Sequence, residues 1–160
     1  MADFGKAPLE QVLARMADTK PGPAAGSAAA LSAAMAAALI QKAARLSARQ
    51  LPDAEDLAGR AGALRRRLLE LAEEDASAVI AMLTGTGPSG PAATVPRQIG
   101  DHAAELAELA DRLSSKGNPR LLADAVSARR LAEAAEAAVV AIVESNRQQD
   151  TTAGGQAEPG

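Results

Sequence analysis

A run of small apolar residues, 28–40, constrains the fold of this chain more than any other feature of its sequence. Only Ser32 interrupts the apolar character before Gln41, and a helix that is apolar on every side is normally buried on every side. The many alanines in the run let neighbouring helices approach closely. The sequence therefore predicts a central helix, with Ser27 as its N-cap and an end near Arg49, inside a bundle of other helices.

The composition supports an all-helical fold. Phe4 is the only aromatic residue among 160, although 48% of the residues are apolar by class. Sheets favour aromatic and β-branched side chains, so this composition argues against an all-β fold. Apolar residues at helical spacing predict further helices at about 8–17, 53–83, 96–115 and 119–147. We predict an all-α, five-helix bundle formed by residues 1–147, followed by a polar, disordered tail, 148–160.

Charge and residue types exclude several classes of function. Lys and Arg number 17 against 20 Asp and Glu, giving a net charge of −3, which does not suggest nucleic-acid binding. The chain has no cysteine, and His102 is its only histidine, which removes thiol chemistry and nearly every zinc site. Residues 1–10 contain no apolar signal segment, and the apolar run 28–40 is too short to span a bilayer. We expect a cytoplasmic protein without nucleic-acid or membrane partners and without a metal site.

Two acidic residues lie on the apolar stripes of predicted helices. Asp75 follows Leu71 by four residues on the stripe of the third helix, and Asp124 begins the stripe of the fifth, with Asn146 near its far end. Burial raises the pKa of a carboxyl group and so suits it to proton transfer near neutral pH. We therefore expect both carboxyl groups in the dry interior, facing one cleft. The alternative is structural: Asp75 pairs with an arginine or caps a neighbouring helix.

Two turns allow both a functional and a structural interpretation. Residues 21–27 precede a helix N-terminus, where free N–H groups attract anions, but the sequence pattern alone favours a plain turn capped by Ser27. Gly117, Asn118 and Pro119 match a helix stop, an N-cap and a proline in the first turn.

Five short segments carry a family resemblance. They are Pro23–Ser27 before the alanine-rich helix, Leu71–Val79 with Asp75, Val95-Pro96, Gly117-Asn118 with Asp124, and Val143 with Asn146. In this order and spacing, over about 9–147, they resemble the cyclodeaminase domain of the formiminotransferase-cyclodeaminase family. That domain also occurs as a free-standing methenyltetrahydrofolate cyclohydrolase.

The resemblance implies a dimeric helical protein with a folate site near the glycine loop and the subunit interface. Its substrate would be a tetrahydrofolate derivative, 5-formimino or 5,10-methenyl, with no permanently bound cofactor. Asp75 would be the acid/base that moves one proton. The residues implied to bind the substrate are Gly26, Ser27, Asn118, Asp124 and Asn146.

The sequence departs from the family pattern at several positions. Ala24 and Ala25 replace two glycines of the loop, Val79 replaces an aromatic residue, and Ile142 replaces the first asparagine of the closing pair. The segment 84–94 is short and has no lysine. These departures favour an alternative function, a catalytically inactive helical dimer that keeps the fold as a ligand-binding or interaction module.

Overall fold

The computed structural model describes residues 4–86 and 94–154, with side chains as far as 148. Within these residues the chain forms five α-helices and one short 3-10 helix, and no strand. Their bounds are α1 Leu9–Ala17, α2 Ala25–Arg45, α3 Ala54–Thr84, α4 Thr94–Lys116, the 3-10 helix Pro119–Leu121, and α5 Leu122–Gly154. The predicted all-α fold is confirmed, and each predicted helix is present.

Helices α2 to α5 form an antiparallel bundle in which α2 packs against the other three. Side-chain contacts between neighbouring helices fix their directions, because residue numbers rise on one helix as they fall on the next. These contacts are Arg60–Glu105 and Asp53–Arg112 between α3 and α4, Gly100–Val139 and Asp111–Arg129 between α4 and α5, Ser32–Leu131 and Lys42–Asp124 between α2 and α5, and Gln41–Gly62 between α2 and α3.

The alanines of α2 explain its central position. Ala30, Ala33, Ala36 and Ala37 are completely buried, together with Ile40, so the backbones of three neighbours can approach this helix. The inner face of α4 is buried as its periodicity predicts, at Ile99, Ala103, Leu106, Ala110 and Leu113. The core therefore lies around α2, with the larger side chains supplied by α3 and α4.

The N-terminus of α2 differs from the prediction. The helix begins at Ala25, with the extended Ala24 as its N-cap, so the predicted N-cap Ser27 lies inside the first turn. Ala24 has a φ of −131°, and no residue other than glycine has a positive φ among the described residues. Alanine is therefore compatible with the backbone of this turn. The physical reason for the error is that Ser27 directs its hydroxyl towards α3, away from its own helix.

The ends of α3 and α5 extend beyond the predicted buried stripes. Met82, placed by its spacing on the inner stripe of α3, is 62% exposed because α3 continues past the start of α2. Helix α5 continues to Gly154, past its predicted end near Arg147, and the predicted disorder of 148–160 stays a prediction. Helix propagation adds one hydrogen bond per residue and needs no core contact, and here it reaches the first glycine of the tail. The rest of the predicted tail lies outside the described residues.

By length and composition alone, α2 could cross a membrane. The helix has 21 residues and is longer than the apolar run 28–40 from which it was predicted. Of its most apolar 18-residue stretch, 56% is buried inside the protein. Burial of this extent is what the central helix of a bundle requires. A cytoplasmic location without membrane partners stays a prediction.

Candidate functional site

Asp75 lies in the interior, against the first turn of α2. One of its oxygens, Oδ2, accepts hydrogen bonds from the Ser27 backbone N–H at 2.7 Å and from the Ser27 hydroxyl at 2.8 Å. Asp75 is 7% exposed and Ser27 is fully buried. The helical periodicity of α3 therefore predicted the burial of Asp75 correctly. The predicted alternative is also present, because the carboxyl group caps a neighbouring helix.

Gly26 makes room for this carboxyl group. A Cβ atom at this position would lie 2.5 Å from Asp75 Cγ, and closer still to Oδ1. No side chain larger than hydrogen fits there, so Asp75 and α2 could not approach each other with any other residue at position 26. The predicted role of Gly26 was to bind the substrate, and this stays a prediction. What the structure places against Gly26 is the carboxyl group of the same chain.

Burial raises the pKa of Asp75 above the ordinary value of a carboxyl group, because desolvation disfavours its charged form. The side-chain and backbone hydrogen bonds from Ser27 oppose this shift and lower the pKa. No charged side chain is among the causes, so a neutral environment holds the protonated form to a higher pH. A raised pKa brings the protonated form of a carboxyl group closer to neutral pH, which favours its use as a proton donor as well as an acceptor.

The second oxygen of the carboxyl group, Oδ1, lies against Gly26, where an added Cβ atom would be closer to it than to any other atom of Asp75. It accepts no hydrogen bond from the described residues. The two oxygens therefore differ in environment: Oδ2 is held by Ser27, and the acceptor capacity of Oδ1 is unused within the described residues.

Asp124 does not join Asp75 in a shared cleft within one chain. Its Oδ2 pairs with Lys42 Nζ at 2.7 Å, and its side chain is 28% exposed. Lys42 and Ser27 are separated along α2 by about 22 Å, at the usual rise of an α-helix. The expectation that both carboxyl groups occupy the dry interior is therefore wrong for Asp124. The lysine one turn before the end of α2 draws Asp124 to the edge of the bundle.

Asn118 lies at the same end of α2 as Asp124. Its side-chain oxygen caps the 3-10 helix by accepting from Arg120 N–H at 3.0 Å, and its amide donates to the Leu46 carbonyl at 3.1 Å. Its own backbone N–H donates to Ser47 Oγ at 2.9 Å. The structural interpretation of the turn 117–119 is thus confirmed. Whether Asn118 also binds a ligand stays a prediction.

Asn146 lies on the part of α5 that extends past the start of α2. It is half-buried. Within the chain it is therefore at the end of the bundle that holds Asp75, whereas Asn118 and Asp124 are at the other end. The six predicted site residues thus divide into two groups, and only Gly26, Ser27 and Asp75 are in direct contact.

Two groups of this arrangement were not predicted. They are the Ala72 carbonyl, which accepts from the Ser27 hydroxyl at 2.9 Å, and Lys42, which pairs with Asp124. A serine within the apolar face of a helix was the available signal for the first, because its hydroxyl must find a partner when it is buried. Lys42 gave no such signal in the sequence. Among the described residues, no group of three or more His, Cys, Asp or Glu could hold a metal ion.

Fold and site together define a class of protein, an antiparallel helical bundle whose central helix binds a buried carboxyl group at its N-terminal turn. Residues 8–86 and 89–153 match the model of the formiminotransferase-cyclodeaminase family, and the chain belongs to this family. The resemblance of the five segments is confirmed by this match.

The fold is similar to that of formiminotetrahydrofolate cyclodeaminase from Thermotoga maritima. The two structures superpose with a TM-score of 0.83 and 23% sequence identity, covering 91% of this chain and 80% of the other. At this identity the likeness shows the fold alone. A comparison with curated proteins found no match.

Proposed function

We propose that this protein interconverts one-carbon units on tetrahydrofolate, as a cyclodeaminase or cyclohydrolase in which Asp75 moves the proton. The observation that carries the proposal is the asymmetric environment of the Asp75 carboxyl group. Oδ2 is fixed by two hydrogen bonds from Ser27, Oδ1 accepts none from the described residues, and burial raises the pKa of the group. Membership of the formiminotransferase-cyclodeaminase family supplies the class of substrate.

Both candidate reactions use one proton of the Asp75 carboxyl group. In cyclodeamination of 5-formimino-tetrahydrofolate, ring closure forms the methenyl bridge and expels ammonia, and protonated Asp75 donates to the leaving nitrogen. In cyclohydrolysis, water opens the methenyl bridge to 10-formyl-tetrahydrofolate, and ionised Asp75 accepts a proton from the water. A raised pKa moves the titration of Asp75 towards neutral pH, which supports its use as the donor in one reaction and the acceptor in the other. Neither reaction requires a permanently bound cofactor.

A homodimer would reconcile the two separated groups of predicted site residues. One face of α2 carries exposed or half-buried apolar residues at helical spacing, Ala28, Leu31, Met35, Ala38 and Leu39, and Met35 is 54% exposed. We call these residues the α2 face. Two copies related by a two-fold axis across this face would bring the Asp124 and Asn118 end of one chain towards the Asp75 end of its partner. We propose that the substrate binds between them, with Asn146 nearby.

A second function is supported by the capping role of Asp75. Because its carboxylate satisfies a free N–H of the first turn of α2, the residue has a structural use that needs no substrate. An inactive dimer that keeps the fold for ligand binding or interaction would retain the same contacts. The alternative therefore predicts no turnover.

Turnover by the unsubstituted protein distinguishes the two functions. Purified protein is mixed with 5,10-methenyl-tetrahydrofolate, and separately with 5-formimino-tetrahydrofolate, and the methenyl absorbance is followed. Decay of the first or appearance of the methenyl product from the second, faster than in buffer, supports the enzyme. Rates equal to buffer in both would contradict it. Calorimetric titration with folate then separates a ligand-binding module from a protein that binds no folate.

A further inference from the structure

The Ser27 hydroxyl has two acceptors and a single proton. Its oxygen lies 2.9 Å from the Ala72 carbonyl and 2.8 Å from Asp75 Oδ2. A carbonyl oxygen only accepts, so the contact with Ala72 requires Ser27 to donate. The contact with Oδ2 can have either direction, depending on which of the two oxygens carries the hydrogen.

We propose that the Ser27 hydroxyl is a two-position switch that turns from the Asp75 carboxylate to the Ala72 carbonyl when Asp75 takes up a proton. With Asp75 ionised, the hydroxyl donates to Oδ2 in a charge-assisted bond, and Ala72 keeps its helical partner. With Asp75 protonated at Oδ2, the acid donates to Ser27 Oγ, and the serine hydrogen points to Ala72. The Ser27 backbone N–H donates to Oδ2 in both states.

The switch makes proton transfer possible without movement of heavy atoms. Asp75 Oδ2, the Ser27 hydroxyl oxygen and the Ala72 carbonyl oxygen each have a hydrogen-bond partner in either protonation state, at the distances already present. Polar groups that need no rearrangement as charge changes lower the cost of the transfer. Ser27 is therefore a positioning residue that acts through Asp75, in contrast to the direct substrate contact predicted from the sequence.

The surroundings of Asp75 leave Ser27 as the group that adjusts its protonation. The causes of its altered pKa are burial and the two bonds from Ser27. Helix α2 has no ionisable residue before Lys42. The acidic neighbours on α3 have other partners, since Glu73 accepts from Phe4 N–H and Glu74 pairs with Arg67. The other helices also carry charged residues near the end of the bundle that holds Asp75. These residues, Arg15, Arg97 and Glu136, are not among the causes of its raised pKa.

The test is a titration of the ligand-free protein by carbon NMR, which needs no turnover. In ¹³C-labelled protein, the Asp75 Cγ signal is assigned by its loss in Asp75→Asn, and the Ala72 carbonyl signal is followed in the same titration. We expect both signals to titrate with one midpoint. In Ser27→Ala, the Asp75 midpoint should move up by about one to two pH units, because a hydrogen bond to the charged form is lost. The Ala72 signal should then cease to titrate.

Several outcomes would overturn the switch. They are an unchanged or lowered Asp75 midpoint in Ser27→Ala, an Ala72 carbonyl that does not titrate in the unsubstituted protein, or one that still titrates in Ser27→Ala. If circular dichroism shows Ser27→Ala to be unfolded, Ser27→Cys replaces it. The thiol is a weaker donor, so a smaller rise of the midpoint is expected, and no rise contradicts the inference.

A role of the switch in catalysis rests on the proposed function. The titration of the ligand-free protein tests the switch without it. A protein without turnover that shows the linked titration would contradict the enzymatic function and leave the switch intact. In an active enzyme, the pH profile of kcat in Ser27→Ala should move upward with the Asp75 midpoint.

Discussion

At the scale of single residues, the site depends on the hydrogen atom that Gly26 carries in place of a side chain. This hydrogen lets the Asp75 carboxyl group lie against the first turn of α2, where Ser27 holds Oδ2. Asp75 gains two hydrogen bonds but loses hydration, and the second effect is larger because its pKa is raised. The three residues therefore form one unit, and changes at any of them act on the protonation of Asp75.

Gly26→Ala tests the packing of this unit. The added Cβ cannot be accommodated beside Asp75 Cγ, so either the carboxyl group or the helix must move, at a cost of about 1–3 kcal/mol. Gly59→Ala is the matched control, because this helical glycine has nothing within 4 Å of an added Cβ. Alanine there should raise the free energy of unfolding by about 0.5–1 kcal/mol. Urea unfolding measures both variants, and equal effects would contradict the close approach at Gly26.

Asp75→Asn tests the linkage between protonation and stability. The folded protein holds the Asp75 proton to a higher pH than the unfolded chain does. The contribution of Asp75 to the free energy of unfolding is therefore greatest below the pKa that Asp75 has in the unfolded chain. It declines as the pH rises through the folded pKa. Asparagine cannot ionise and has no such contribution to lose. The free energy of unfolding of Asp75→Asn should therefore rise relative to that of the unsubstituted protein as the pH rises. Urea unfolding between about pH 4 and about pH 8 measures this difference.

The control for that experiment is Glu74→Gln, which removes an exposed negative charge from the adjacent position. The difference in free energy of unfolding between Glu74→Gln and the unsubstituted protein should not show the pH dependence expected for Asp75→Asn. If the free energy of unfolding of Asp75→Asn instead falls further below that of the unsubstituted protein as the pH rises, the folded pKa is lowered.

At the scale of elements, the periodicity of apolar residues predicted the buried faces of the helices better than the residue types predicted the partners of polar side chains. The burial of α4, the central position of α2 and the inward position of Asp75 all follow from apolar spacing. The position of Asp124 did not follow, because a residue at the border of a stripe is directed by whichever partner lies across from it, here Lys42. The sequence offered capping by Asp75 only as an alternative and could not identify the helix that it caps, since Asp75 and Ser27 are 48 positions apart.

The turn between α4 and α5 depends on Asn118. Its side-chain oxygen caps the 3-10 helix, and its amide binds the end of α2 through Leu46. Asn118→Ala should lower the free energy of unfolding by about 1 kcal/mol, the usual cost of a lost N-cap. Asn118→Asp keeps the capping oxygen and should lose less. Thermal or urea unfolding measures both, and equal losses would show that the cap contributes nothing.

At the scale of the whole molecule, α2 is both the centre of the bundle and part of its surface. Its inner alanines are fully buried, while the α2 face presents apolar side chains that no described residue covers completely. The separation of Asp75 from Asp124 along this helix is a property of one chain. A pocket containing both would need a second copy, and this is why the predicted dimer matters for the proposed site.

Met35→Glu tests the predicted dimer. A charge in the middle of the α2 face would be desolvated by a second copy, so the variant should be monomeric. Size-exclusion chromatography with light scattering should give twice the chain mass of 16.1 kDa for the unsubstituted protein and the single mass for Met35→Glu. Ser115→Glu, which adds the same charge to an exposed position of α4, should stay dimeric. An unsubstituted protein of single mass would contradict the dimer.

Turnover of Asp75→Asn measured beside Glu74→Gln is the most direct test of the central claim, that Asp75 transfers the proton in folate chemistry. The two residues are neighbours on α3, but Asp75 is buried and Glu74 pairs with Arg67 at the surface. With helical circular dichroism unchanged in both, Asp75→Asn should lose about 10²–10⁴-fold in kcat, the usual contribution of general acid–base catalysis. Glu74→Gln should keep its rate. An Asp75→Asn protein that turns over its substrate as fast as the unsubstituted enzyme would contradict the claim.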